Sequence, residues 1–334
     1  MPARPVATFA GTDVLEIDLV APDGTTARVL TFGATMRDLA IPMPDGTRRR
    51  VVLGFERAED YLANPDYLGV TAGRHANRIG GGRFALDGRE HRLSLNERGR
   101  THLHGGLAGF SHRPWRLVAA SEDAVTMALT SPDGEEGYPG AVEARCSYRL
   151  RAPATLVVEM TATTDAPTIV NLAHHSYFTL TPGAPVTGHA LEVAAARYTP
   201  VDADLIPTGE IAAVAGTPLD FRVPRPVGEA HGLDHNFVLD GHRPGAFAFA
   251  ARVAAADLTL EVWTDQPGLQ VYDGAYLADA GPVGLDGARQ FPNAGLCLEP
   301  QSFPDGPNKP HFPSPVLRPG EIYRQVTEYR FTAG

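Results

Sequence analysis

Four short stretches of this 334-residue chain gather acids, imidazoles and rigid hydrogen-bond donors that ordinary strand patterning does not require. In Leu296-Cys297-Leu298-Glu299-Pro300-Gln301 a carboxylate follows an apolar run and precedes a proline, where a side chain emerges from a sheet into a cleft. Buried glutamate is rare unless paired or functional, so Glu299 is either half of a salt bridge or an acid–base group. His174-His175-Ser176-Tyr177-Phe178 follows the apolar Ile169-Val170 and supplies two imidazoles. Thr101-His102-Leu103-His104-Gly105-Gly106 supplies two more. In a strand His102 and His104 share a face, as a His-x-His metal pair does. The adjacent His174 and His175 would face opposite ways and not share an ion, so no metal site is expected.

The fourth stretch runs Gly73-Arg74-His75-Ala76-Asn77-Arg78-Ile79 into three further glycines. A guanidinium beside an amide offers rigid donors suited to vicinal hydroxyl groups. An arginine on the wet face of a strand beside a glycine turn explains it as simply. The glycines lack the spacing of a phosphate loop or a dinucleotide fingerprint.

Positioning these groups falls to β-structure. Glycine (35) and proline (29) are spread through the chain and leave few windows for a long amphipathic helix. Runs at 27–32, 125–130, 155–161 and 258–263 are β-branched or alternating and end at turn residues. Asp23-Gly24, Asp45-Gly46, Asp87-Gly88, Asp133-Gly134 and Pro182-Gly183 mark turns between them. The spacing predicts an all-β fold, a large antiparallel sandwich or barrel. The one helix candidate is short, at 57–62, and 184–226 reads as loop with strand-like pieces at 191–193 and 209–211. No repeat or linker divides the chain, so residues 1–334 are expected to form one domain.

Bulk chemistry narrows the function classes. A net charge of −10 and a pI near 5.6 disfavour a polyanionic partner such as nucleic acid. The run Arg48-Arg49-Arg50 after Asp45-Gly46 reads as a solvated turn. Two distant cysteines, Cys146 and Cys297, without CxxC spacing, fit a reducing compartment. With no signal-peptide core and no apolar run long enough to cross a bilayer, a cytoplasmic protein without a membrane partner is expected.

Taken in order, the stretches resemble the galactose mutarotase (aldose 1-epimerase) family over essentially the whole chain. The resemblance is carried by GRHANRI at Gly73, HLHGG at His102, SPDGEEGYPG at Ser131, HSYF at His175 and YTPVDADLIPTGEI at Tyr198. TPLDFR at Thr217, DHNF at Asp234, QPGLQVY at Gln266, CLEPQ at Cys297 and LRPGEIY at Leu317 complete it. The family's fold is a large antiparallel β-sandwich, in agreement with the independent strand reading.

The resemblance implies an isomerase that interconverts the α and β anomers of free aldoses such as galactose or glucose, with no cofactor. It implies that Glu299 takes the proton of the anomeric hydroxyl and that His175 protonates the ring oxygen. Arg78 and His104 would hold the ring oxygen and neighbouring hydroxyls, and Asn77, Asp234, Gln270 and Tyr177 would complete the sugar contacts. The partner is then a small monosaccharide, and the assembly a monomer or homodimer. Two residues depart from the family pattern: His174 stands where Asn is common, and Pro300 where Thr is common. Three other readings are weighed. A glycoside hydrolase commonly uses two carboxylates, whereas the partner of Glu299 here is a histidine. A non-catalytic carbohydrate-binding protein would not need an acid–base pair. A hexose-6-phosphate 1-epimerase would be expected to show an extra cationic cluster for the phosphate, and none is legible.

Overall fold

The computed structural model describes residues 3–243, 245–255, 257–278, 281–287 and 289–334. Among these no α-helix occurs, only short 3-10 turns between strands. The fold is an antiparallel β-sandwich, and every named strand pair in it is antiparallel. Its largest sheet has nine strands and contains the long hairpin Val142–Arg151 and Thr155–Thr164, with Tyr323–Ala333 beside it. A six-stranded sheet runs in the order Tyr177–Phe178, Leu296–Gln301, Gly268–Tyr272, Asp234–Val238, Arg197–Tyr198, Ala212–Ala213. A five-stranded sheet is made from the N-terminal strands Arg4–Phe9 to Arg48–Arg50.

Alternation is what lets these sheets face one another. In Val142–Arg151 the residues Val142, Ala144, Cys146, Tyr148 and Leu150 are buried, while Glu143, Arg145, Arg149 and Arg151 are exposed. That period of two puts one apolar face on the core. Leu296–Gln301 is buried at all six positions, because both of its faces are covered. Its Leu296 and Leu298 join Leu269, Val271 and Phe237 of neighbouring strands in the main core cluster, with Tyr148 and Val158 of the nine-stranded sheet. That cluster draws on residues from Ile17 to Phe331. Truncating such a leucine to alanine typically costs about 2–5 kcal/mol, so the sheet's back face is firmly held.

Three local expectations change. The helix candidate at 57–62 is a 3-10 turn, Ala58–Leu62, pinned where the Phe55 amide donates to Tyr61 Oη at 2.9 Å. Residues 209–211 form no strand; the strand piece there is Ala212–Ala213. The arginine run is an edge strand, Arg48–Arg50, rather than a turn. Arg50 pairs with Asp38 and Arg49 with Asp257, both at 2.6 Å, so charge partners hold the run extended.

Candidate active site

One face of the six-stranded sheet carries most of the chemistry. Cross-strand partners share a face, and here Gln270 lies opposite Glu299, Tyr272 opposite both Cys297 and Asp234, and Tyr177 opposite Cys297. Six neighbouring positions therefore share one face: Tyr177, Cys297, Glu299, Gln270, Tyr272 and Asp234. The alternate residues Leu296, Leu298, Leu269 and Val271 look back into the core. Above the outward face is a cavity of about 180 Å³. That is smaller than the ~300–1,000 Å³ of a drug-sized site and suits one small polar molecule. Asn77, Arg78, His104, His175, Tyr177, Asp234, Gln270 and Glu299 all line it. A larger cavity of about 420 Å³ beside Arg48–Arg50 has no histidine or carboxylate among its described lining residues, hence no acid–base pair among them.

At the cavity floor His175 Nε2 faces Glu299 Oε1 at 3.6 Å, with the residues only 5% and 2% exposed. Glu299 Oε2 has no hydrogen-bond partner. Burial pushes the Glu299 carboxyl well above the usual range, the Asp234 charge adds to this, and Arg78 opposes it. Burial also lowers the His175 imidazole to about 4. Its Nδ1 lies 3.6 Å from Cys297 Sγ.

The walls are pre-set donors and acceptors. Glu97 grips the Arg78 guanidinium at two points, both 2.8 Å, and Glu97 also accepts from Thr101 Oγ1 at 2.6 Å. The remaining nitrogen, Nη1, stands 3.6 Å from Asp234 Oδ2. Gln270 Nε2 donates to Asp234 Oδ1 at 2.5 Å, leaving Gln270 Oε1 buried without a partner. His104 Nδ1 accepts the Asn77 amide proton at 3.2 Å. A neutral His104 must then carry its proton on Nε2, and burial keeps it neutral by lowering its pKa well below the ordinary value. Asn77 and His104 both have positive φ, 62° and 50°. The loop after His104 presses on the Gly73 segment so closely that a Cβ on Gly105 would lie 1.8 Å from the Gly73 carbonyl oxygen.

The histidine pairs divide. His104 lies just past the strand Thr101–Leu103 and lines the cavity. The His102 ring turns inward, donating from Nδ1 to the Ser94 carbonyl at 2.8 Å and accepting from Tyr138 Oη at 2.7 Å. His174 packs between Tyr148 and Tyr329, away from His175 and the cavity. Pro300, opposite Leu269, lies on the sheet's back face. Neither departure from the family pattern therefore lines the cavity. Arg74 and Arg78 divide likewise. The buried Arg74 donates to the carbonyl oxygens of Ser131, Pro132, Pro139 and Gly140 and serves as a structural clamp.

Several lining residues carry no clear signal in the sequence. Tyr67 covers the site from a turn at φ 57°, its ring 4.6 Å from that of His104 and 6.1 Å from that of His175. Tyr272 stacks beneath the exposed Tyr276 at the rim. Tyr177 donates its hydroxyl to the Asp66 carbonyl at 2.9 Å, tying that turn to the sheet. Glu97, which orients Arg78, stands in a charged loop with nothing to mark it. Only the alternation of 268–272 hints at Tyr272, two residues from Gln270.

Known proteins resemble the chain in sequence and fold. The sequence pattern of the family described as aldose 1-epimerase matches residues 16–330. The galactose mutarotase of Bos taurus is 40% identical, with 96% of this chain and 95% of that one aligned. The aldose 1-epimerase of Escherichia coli (strain K12) is 37% identical over 95% of this chain and 99% of its own. A crystal structure of an aldose epimerase homologue from C. elegans superposes with a TM-score of 0.90 at 29% identity, covering 96% of this chain and 99% of that one. With a family match over residues 16–330 and relatives this similar over nearly their full lengths, the chain belongs to the aldose 1-epimerase family.

Proposed function

We propose that this chain opens and recloses the ring of a free aldose, with Glu299 as the base at the anomeric hydroxyl and His175 as the acid at the ring oxygen. The observation that carries this reading is the single cavity in which Glu299 Oε1 and His175 Nε2 face each other at 3.6 Å. Opening moves one proton from the O1 hydroxyl to Glu299 and another from His175 to the ring oxygen, as the C1–O5 bond breaks. The free aldehyde then rotates about C1–C2, and reclosure on the other face returns both protons. Burial shifts both groups in the helpful direction. A carboxyl with a raised pKa is a stronger base, and an imidazole lowered to about 4 gives a stronger acid. The opened state leaves both groups neutral, which a desolvated floor favours.

Arg78 and the Nε2–H of His104 serve as fixed donors to ring and hydroxyl oxygens. Asp234, Gln270 and Asn77 hold the remaining hydroxyls, and Tyr177 and Tyr67 close the apolar side. Galactose and glucose are the proposed substrates; the names of the mammalian relatives support the first. A sugar phosphate fits poorly, because among the described residues Arg78 is the only Lys or Arg in the cavity lining and it already holds Glu97 and Asp234. All eight site residues come from one chain, which supports a monomer or a homodimer with independent sites. No helix among the described residues is long and apolar enough to cross a membrane. The two cysteines are free and buried, which suits the proposed cytoplasmic setting.

Polarimetry on freshly dissolved α-D-galactose and α-D-glucose tests the reading: catalytic amounts of protein speed the approach to the equilibrium rotation. No acceleration with any aldose would remove it. Asp234→Ala is expected to act mainly on KM, since it deletes a hydroxyl contact worth about 1–3 kcal/mol, or roughly 5- to 150-fold. A collapse of kcat at unchanged KM would instead place Asp234 in the chemistry. Dialysis against a chelator is expected to leave the rate intact. Loss of activity, restored by a divalent ion, would contradict the proton-transfer scheme.

A further inference from the structure

We infer that the floor of this cavity is also a binding site for a thiophilic divalent cation, held by His175, Cys297 and Glu299, and that a bound ion shuts the enzyme off; the shut-off rests on the acid–base reading of the pair. Cys297 and Glu299 are two residues apart on one strand and so share a face. The His175 ring lies between them, Nε2 toward the carboxylate and Nδ1 toward the thiol, each at 3.6 Å. The three residues are buried, and one donor atom from each lies within 4.8 Å of the other two. Bonds of about 2.0–2.3 Å to a tetrahedral zinc place donor atoms roughly 3.3–3.8 Å apart. An imidazole binds one ion through one nitrogen, here Nε2, whose separation from Glu299 is already in that range; the Cys297 side chain must turn from Nδ1 toward Nε2 to close the remaining edge, which starts within 4.8 Å.

Charge and donor chemistry agree with the geometry. A divalent ion, a thiolate, a carboxylate and a neutral imidazole sum to zero, the state that a buried site tolerates best. Glu299 Oε2 is buried and without a hydrogen-bond partner, so a ligand oxygen is free. The nitrogen ligand is the neutral imidazole of His175, so any proton on the coordinating nitrogen must leave on binding. Cys297 is held as the thiol by burial and the adjacent Glu299, so binding must expel that proton to solvent, together with any proton on Glu299. The thiolate selects zinc or cadmium over magnesium or calcium. Once bound, the ion occupies the lone pairs that mutarotation needs, so it competes with the sugar.

Cadmium is the probe. Titrating the wild-type protein with Cd²⁺ should raise the ultraviolet thiolate-to-cadmium charge-transfer band while the polarimetric rate falls in step, and EDTA should reverse both. Mg²⁺ should do neither. The band should vanish in Cys297→Ala and Cys297→Ser but persist in Cys146→Ala, which removes the other thiol. In either Cys297 variant the cadmium inhibition constant should rise at least ~10-fold, relative to that variant's own uninhibited rate. No band in the wild type, or a band that survives loss of Cys297, would overturn the site. A band that follows Cys297 while mutarotation continues at full rate would overturn the shut-off and, with it, the assignment of Glu299 and His175 as the reacting pair. If the band is missing but Glu299→Gln and His175→Asn are both inactive, only the metal site fails.

Discussion

Glu299→Gln is expected to lower kcat by about 10²- to 10⁴-fold, the usual contribution of one general acid–base group. The amide keeps the shape of the side chain and cannot take the O1 proton. His175→Asn should cost a similar factor by removing the proton donor. Because the two groups act in one exchange, the double variant should lose less than the product of the single losses. His174→Asn is the control: its ring packs on Tyr148 and Tyr329 behind the cavity, so most activity should remain. An inactive His174→Asn beside an active His175→Asn would assign the acid to the wrong histidine. The pair also sets the pH profile. As pH rises from acid, the doubly protonated pair loses its first proton near 4, where the imidazole titrates, and kcat/KM rises to a plateau. On the plateau one proton is shared, and the carboxylate–imidazolium form and the neutral form differ only by its transfer across 3.6 Å. At higher pH that last proton leaves at the raised carboxyl value and the rate falls. Glu299→Gln should erase this alkaline limb. A profile with the same two limbs in the variant would show that other groups control it.

Arg74→Met should cost about 3–4 kcal/mol of stability, the largest loss expected from a single polar position. The guanidinium is 1% exposed and donates to four backbone carbonyl oxygens and to Ser131 Oγ, gathering the segment 131–140 against the Gly73 strand end. Methionine fills much of the volume but gives those acceptors no donor; the Pro132 carbonyl keeps the Glu135 amide, whereas the Pro139 and Gly140 carbonyls lose the guanidinium. Burial lowers the Arg74 pKa to about 10, so the cation persists at neutral pH and its hydrogen bonds stay charge-assisted. Chemical denaturation followed by fluorescence and circular dichroism should show a lower midpoint in one coincident transition, as the proposed single domain requires. The folded fraction should keep its KM, because Arg74 does not line the cavity. A raised KM at unchanged stability would return Arg74 to the sugar site.

The strands were legible because each records its two faces in a local period. The buried set Val142, Ala144, Cys146, Tyr148, Leu150 can be read from the sequence without knowing what covers it. The same alternation puts Cys297 and Glu299, or Gln270 and Tyr272, on one side of a strand, so the part of the site carried by these two strands was implicit in CLE and QVY. The residues of GRHANRI, HLHGG and HSYF could be gathered and divided by resemblance, but not by alternation. Arg78 rather than Arg74, and His104 rather than His102, line the cavity where Asn77 and His104 take left-handed backbone, breaking the period of two as the chain enters Arg78–Gly80 and as it leaves Thr101–Leu103. Sequence alternation carries no record of such a break. Nor does it say which strands lie side by side. Glu97 meets Arg78 because Thr101–Leu103 pairs with Arg78–Gly80, and Asp234 meets Gln270 because Asp234–Val238 pairs with Gly268–Tyr272. His175 meets Glu299 across 124 positions of chain because Tyr177–Phe178 pairs with Leu296–Gln301. The residue types and their faces come from local chain chemistry, whereas the contacts that make an acid–base pair come from long-range register, set by the shared core behind the sheet.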